Sequence, residues 1–119
     1  MVNSERLICA ADDLLDGASG AVFPLVYHRE PCEGFVVRFR GKVYGYLNRC
    51  AHALVKLDWD NPQFFDETGL YLRCSTHGAL YRPDTGSCVA GRCEGQGLVR
   101  LNVVEQNGYI YLVESEHVR

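Results

Sequence analysis

Apolar and polar residues along this chain alternate with a period of two and are broken every few residues by turn formers; no long stretch carries a helical period. Leu7 to Ala10 reads as a short first strand, and Asp12 to Gly17 as a loop with room for one helical turn. Val22 to His28 is a further strand, which Pro24 confines to an edge or a bulge because proline cannot donate to a ladder. The strongest hairpin signal is Phe35–Arg40 and Val43–Asn48 around Gly41-Lys42. Val37 and Phe39 share one face of it; Arg38 and Arg40 share the other, which is expected to be wet. Leu70–Arg73, Ala79–Arg82 and Ser87–Val89 are short strands, with a turn at Pro83–Gly86. Leu98–Val104 and Tyr109–Val113 form a second hairpin, in which Asn107-Gly108 supplies positive φ. The expected fold class is all-β, built from many short antiparallel strands.

Composition changes this picture little. With 119 residues and 47% apolar content, residues 1–119 are expected to form one globular domain. A formal charge of −3 and the lack of a basic stripe exclude a nucleic-acid partner. No signal-peptide pattern opens the chain and no apolar run approaches a membrane span, so a soluble, cytoplasmic protein without membrane contact is expected. Six cysteines without an export signal point to ligands or free thiols rather than to a disulfide framework.

The chemistry is concentrated between residues 50 and 77. Cys50-Ala51-His52 and Cys74-Ser75-Thr76-His77 each supply one thiolate and one imidazole at short spacing. Two sulfur and two nitrogen donors on two loops outline a metal site: Cys50, His52, Cys74 and His77. A structural zinc site is one reading, which would make the chain a zinc-stabilised interaction module. Zinc fingers, however, more often pair Cys with Cys and His with His, and the mixed pairs here suit a cluster of two unlike irons. Between the motifs, Trp59, Phe64 and Phe65 stand among Asp58, Asp60, Asp66 and Glu67; they are expected to pack beneath the loops, the alternative being a docking surface. Cys9, Cys32, Cys88 and Cys93 are read as structural or incidental thiols, with Cys88 and Cys93 near enough in sequence to approach one another. His28 and His117 have no ligand set beside them and read as surface histidines.

The pattern C-x-H, then C-x-x-H-G, continuing through Ala79-Leu80-Tyr81 to Asp84-Thr85-Gly86, resembles the Rieske iron–sulfur family over roughly Gly34 to Val113. The resemblance implies a small antiparallel β-sandwich holding a [2Fe–2S] cluster between two loops at one end, one cluster per chain. It implies Cys50 and Cys74 on one iron, and His52 and His77 on the other. It also implies a role for Tyr81, since Rieske subunits of cytochrome bc complexes have a tyrosine at this offset whose hydroxyl donates to a ligand sulfur. Those subunits also carry a loop-bridging disulfide and a serine after H-G. This chain has Val55, Thr76 and Ala79 at those positions, which points to a lower potential, as in the soluble Rieske-type ferredoxins. Leu54 stands where glycine is common. Rieske oxygenases need a further domain with a mononuclear iron, for which this chain has neither the length nor the histidines. The function implied is therefore single-electron transfer, from a reductase to a terminal oxygenase or other redox enzyme. The chain is read as a carrier or oxidoreductase component rather than as an enzyme by itself. The alternative within the family is a small Rieske-like subunit of a larger oxidoreductase such as nitrite reductase.

Overall fold

The computed structural model describes residues 4–49, 64–74, 79–91 and 97–119. Strand β1 (Glu5–Ala10) leads into a 3-10 turn (Ala11–Asp13), then β2 (Ala21–Tyr27), β3 (Glu30–Phe39) and β4 (Lys42–Leu47). Three short strands follow: β5 (Leu72–Arg73), β6 (Leu80–Tyr81) and β7 (Cys88–Ala90). The chain closes with β8 (Arg100–Leu101), β9 (Val103–Gln106) and β10 (Tyr109–Val113). They form three antiparallel sheets, ordered β1-β10-β9, β2-β3-β4-β8 and β5-β6-β7. The all-β expectation holds.

Side-chain alternation explains how the sheets stack. On β3, Phe35, Val37 and Phe39 point into one core with Tyr46, Phe64, Leu72, Cys74 and Tyr81. Val36 points the other way, into a second core with Phe23, Leu25, Leu47, Leu101, Ile110 and Leu112. The four-stranded sheet is thus covered on both faces, by β5-β6-β7 on one side and by β1-β10-β9 on the other. Phe35, Val36 and Val37 are all fully buried.

This corrects the expectation of a wet face at Arg38. The three-stranded β1-β10-β9 sheet lies there, and Arg38 becomes a pinned cation. Its guanidinium donates to the carbonyls of Leu14 (2.8 Å), Ala11 (3.2 Å) and Gly41 (3.2 Å) and to both carboxylate oxygens of Glu105 (3.1 and 2.8 Å). Only 15% of its side chain stays exposed. Arg40, by contrast, is exposed. It forms the β3–β4 turn with Gly41, at φ 52° and 83°, so the tight turn falls at Arg40-Gly41, one residue earlier than Gly41-Lys42. Asp16 caps that turn by accepting from the N–H groups of Arg40 (2.6 Å) and Gly41 (2.8 Å). Asn107-Gly108 makes the second tight turn as expected, at φ 52° and 83°.

Strand β2 lies at a sheet edge, as Pro24 requires. The C-terminal residues lie along it: Val26 and Arg119 exchange two backbone hydrogen bonds (2.8 and 2.9 Å), and the His28 N–H donates to the His117 carbonyl (2.8 Å). The rings of His28 and His117 stack at 4.7 Å, 20° from parallel. They are surface residues, but as a pair rather than singly. Among the described residues no helix is long and apolar enough to cross a membrane.

Candidate metal centre

Of the four expected ligands, Cys74 lies among the described residues; Cys50, His52 and His77 lie outside them, as does Trp59. Cys74 is fully buried and carries no disulfide. Its backbone N–H donates to the Ala79 carbonyl at 2.9 Å, which joins the two ends of the second loop. The β5–β6 pair beneath fixes the two ends of that loop, with Leu72 opposite Tyr81 and Arg73 opposite Leu80. Paired strands at its root and burial of its side chain hold Cys74 in place.

The core around Cys74 is aromatic. Phe64 stacks on Phe35 with ring centroids 3.9 Å apart and planes within 8°. Phe65 sits near Phe39, and both Phe64 and Phe65 are buried. They lie in the core that also holds Cys74 and Ala79, so this pair is no exposed docking surface. Backbone bonds tie the segment to β5, with the Arg73 N–H donating to the Phe64 carbonyl (2.7 Å) and the Asp66 N–H to that of Tyr71 (2.9 Å). Asp66 is further organised by the Thr68 hydroxyl, which donates to it at 2.6 Å. Partial burial pushes the Asp66 carboxyl up, but the Thr68 hydroxyl and nearby backbone N–H groups outweigh it and hold it below the usual range.

Tyr81, on β6, is fully buried in the same core as Cys74. Tyr46 is a second buried phenol that the sequence reading passed over. Its hydroxyl donates to the Pro83 carbonyl at 2.7 Å, and burial raises its pKa strongly. It clamps the turn after β6 onto β4, the strand that leads to Cys50. The signal was present in the alternation of β4, where Tyr44 and Tyr46 share the face of Val37.

Two glycines allow close packing around the second loop. At Gly86 (φ 79°) a Cβ would meet the Tyr46 ring at 2.8 Å, and at Gly91 (φ 99°) it would meet Ala79 Cα at 2.9 Å. Ala79, at the end of the second loop, is therefore packed directly against Gly91. Cys88, across from Tyr81 on β7, is in a disulfide whose second cysteine lies outside the described residues, as does Cys93. Cys88 is thus not an incidental thiol. Cys9 and Cys32 carry no disulfide and are half-buried; burial raises the Cys9 thiol pKa.

The first loop is rooted in β4. Asn48, buried, donates its N–H to the Glu33 carbonyl at 2.8 Å, and Leu47 donates to Val99 at 2.9 Å. Tyr46 and Cys74 share one core, so the strands feeding both loops rest on the same side chains.

The profile of the Rieske [2Fe-2S] domain matches residues 5–109. The chain belongs to this family. Among solved structures, the Rieske fold here is similar to the Sphingomonas yanoikuyae B1 ferredoxin, at 19% identity and TM-score 0.72, over 94% of this chain and 100% of that one. It is also similar to the ferredoxin of carbazole 1,9a-dioxygenase from Nocardioides aromaticivorans IC177, at 24% identity and TM-score 0.71, over 94% and 99%. A third similar chain comes from the complex of reduced oxygenase and oxidized ferredoxin in carbazole 1,9a-dioxygenase, at 22% identity and TM-score 0.69, over 92% of each chain. At these identities the likeness establishes the fold. A search of curated proteins gave no match. Membership in the Rieske family implies a [2Fe–2S] cluster. The described part of the donor set fits one: a buried thiol outside any disulfide, its backbone hydrogen-bonded to Ala79, in a core rich in aromatic side chains.

Proposed function

We propose that this chain is a Rieske-type ferredoxin, one domain over residues 1–119 with one [2Fe–2S] cluster. It takes single electrons from a reductase and passes them to a terminal oxygenase or another redox enzyme, in the cytoplasm. Cys50 and Cys74 would hold one iron, and His52 and His77 the other. One observation carries this reading. The family match spans both ligand motifs, and the fold covers 94% of this chain and nearly all of two ferredoxins. A related complex pairs a ferredoxin with its oxygenase, which supports an oxygenase as acceptor here.

A bound Rieske cluster supplies a one-electron couple whose potential is set by hydrogen bonds to sulfur and by solvent exposure. The residues of this chain supply the surroundings. Burial of Cys74 keeps water from that thiolate, and Tyr81 brings a phenol into the same core. The Phe35–Phe64 stack and the Tyr46–Pro83 hydrogen bond hold the loop roots on one rigid base, so little protein rearrangement accompanies a change of charge.

The decisive experiment is aerobic purification followed by visible and EPR spectroscopy of the dithionite-reduced protein. A red-brown protein with a Rieske EPR signal, lost in His77→Ala, is the expected result. A colourless protein that binds zinc would refute the reading. Co-purification with a large haem- or flavin-containing subunit would move it to a subunit of a larger oxidoreductase.

A further inference from the structure

Strands β2 and β3 continue past the end of β4. Gly34 pairs with Leu47 near the last rung of the β3–β4 ladder, while β3 begins four residues earlier, at Glu30. The β2–β3 hairpin therefore runs on alongside the segment that leaves β4 for Cys50. Two contacts tie that segment to the overhang. One is the Asn48 N–H bond to the Glu33 carbonyl. The other is Arg49, which immediately precedes Cys50. Its Nη2 donates to Cys32 Sγ at 3.2 Å and lies 3.6 Å from Glu30 Oε2. The Cys32 thiol in turn donates to the Glu30 carbonyl at 3.3 Å. The side chains form one chain of contacts, from guanidinium to thiol to backbone carbonyl, across the face of the hairpin.

We propose that Arg49 is a positioning residue for the first ligand loop, bracing its root against the β2–β3 overhang through Cys32. This rests on the reading of Cys50 as a cluster ligand. The second loop needs no such device, because β5 and β6 pair directly beneath it. Beyond Leu47, by contrast, the β3–β4 pairing continues only through the Asn48–Glu33 bond. Both contacts are made by the one Nη2 nitrogen, which sets thiol and carboxylate against the same amino group. The ion pair with Glu30 is the weaker half, since Glu30 is 72% exposed. The thiol is half-buried, so the Arg49–Cys32 contact is the part shielded from water.

The brace makes Cys32 a residue of the redox site without being a ligand. A neutral change there should disturb the first loop as much as loss of Arg49 does. The test compares Arg49→Met, Cys32→Ala, their combination, Cys32→Ser and Glu30→Gln in the holoprotein. Cluster loss, followed as bleaching of visible absorbance in chelator, should quicken about threefold or more in Arg49→Met and in Cys32→Ala. The double variant should bleach no faster than the worse single, because both remove one interaction. Cys32→Ser keeps a donor and an acceptor and should restore the wild-type rate; Glu30→Gln should stay near it. EPR lines of the two braceless variants should broaden as the loop root samples more conformations. Hydrogen exchange in peptides covering Asn48 and Arg49 reads the brace whatever the site holds, and should be faster in both single variants. Unchanged exchange in Arg49→Met, or no rescue by Cys32→Ser, overturns the brace. A wild type without a Rieske spectrum but with the expected exchange pattern overturns the functional reading and leaves the brace standing.

Discussion

Tyr81 and Cys74 share a core in which neither retains solvent exposure, and that burial gives each of their polar atoms unusual weight. Ala79 stands where the bc-type subunits carry a serine, so the resemblance leaves Tyr81 as the proposed side-chain donor. A donor to a ligand sulfur favours the reduced, more negative state. Hydrogen bonds to charged groups contribute about 1.5–3 kcal/mol, of which ~1 kcal/mol would differ between redox states, or roughly 40 mV for one electron. Tyr81→Phe is therefore expected to lower the reduction potential by tens of millivolts while keeping the cluster, as read by redox titration of the visible or EPR signal. A potential equal to or above wild type would make Tyr81 a packing residue only.

Loops in this fold are placed by the strands and turns at their roots. The second ligand loop depends on Gly91, because Ala79, its closing residue, touches the position where any Cβ at 91 would stand. Gly69 is a natural control: it too has positive φ, at 73°, but a Cβ there would meet nothing within 4 Å. Gly69→Ala should then cost only the left-handed backbone penalty, about 1–2 kcal/mol. Gly91→Ala adds displacement of Ala79 and should cost more, and it should also alter the EPR g-values, which Gly69→Ala should leave as they are. Thermal melts and EPR of the two variants separate the effects. Equal melts and equal spectra would mean that the Gly91–Ala79 contact does not hold the loop.

Polar contacts join the three sheets alongside the two cores. Arg38, on β3, reaches across to Glu105 on β9 and to the carbonyls after β1, so the bidentate pair fastens one outer sheet to the central one. The Arg38 guanidinium holds the Glu105 carboxyl below its usual range by hydrogen bond and charge, against a smaller opposing effect of burial. A carboxylate whose pKa is lower folded than unfolded stabilises the fold above its unfolded value, and that contribution disappears as pH falls through the folded one. Solvent screens the half-exposed Glu105, so the pair is worth about 0.5–1 kcal/mol. Glu105→Gln should be less stable than wild type at neutral pH, and the two should converge below the carboxylate range. Chemical unfolding at a series of pH values reads this directly; a gap that stays constant down to strong acid would show that the carboxylate charge contributes nothing.

What the residues alone carried was local. Period-two alternation, Asn107-Gly108 and Pro24 each encode their structure within a few neighbours, and so strands, the second turn and the edge position were legible. The Cys/His motifs that carry the family resemblance were legible for the same reason, because short spacing is a property of the chain itself. Stacking of sheets was not, because it depends on partners far away in sequence. Arg38 looked wet until the β1-β10-β9 sheet covered its face and offered Glu105. Tyr46 looked like one more strand residue until the turn at Pro83 came within reach of its hydroxyl. His28 and His117 looked unrelated until the C-terminal residues ran along β2 and stacked the two rings. Arg49 and Cys32 are 17 residues apart, and only the overhang of one hairpin beyond its neighbour strand sets guanidinium against thiol. Alternation dictates which face a side chain takes; what meets it on that face is decided by how the sheets close on one another, a long-range choice that no local pattern records.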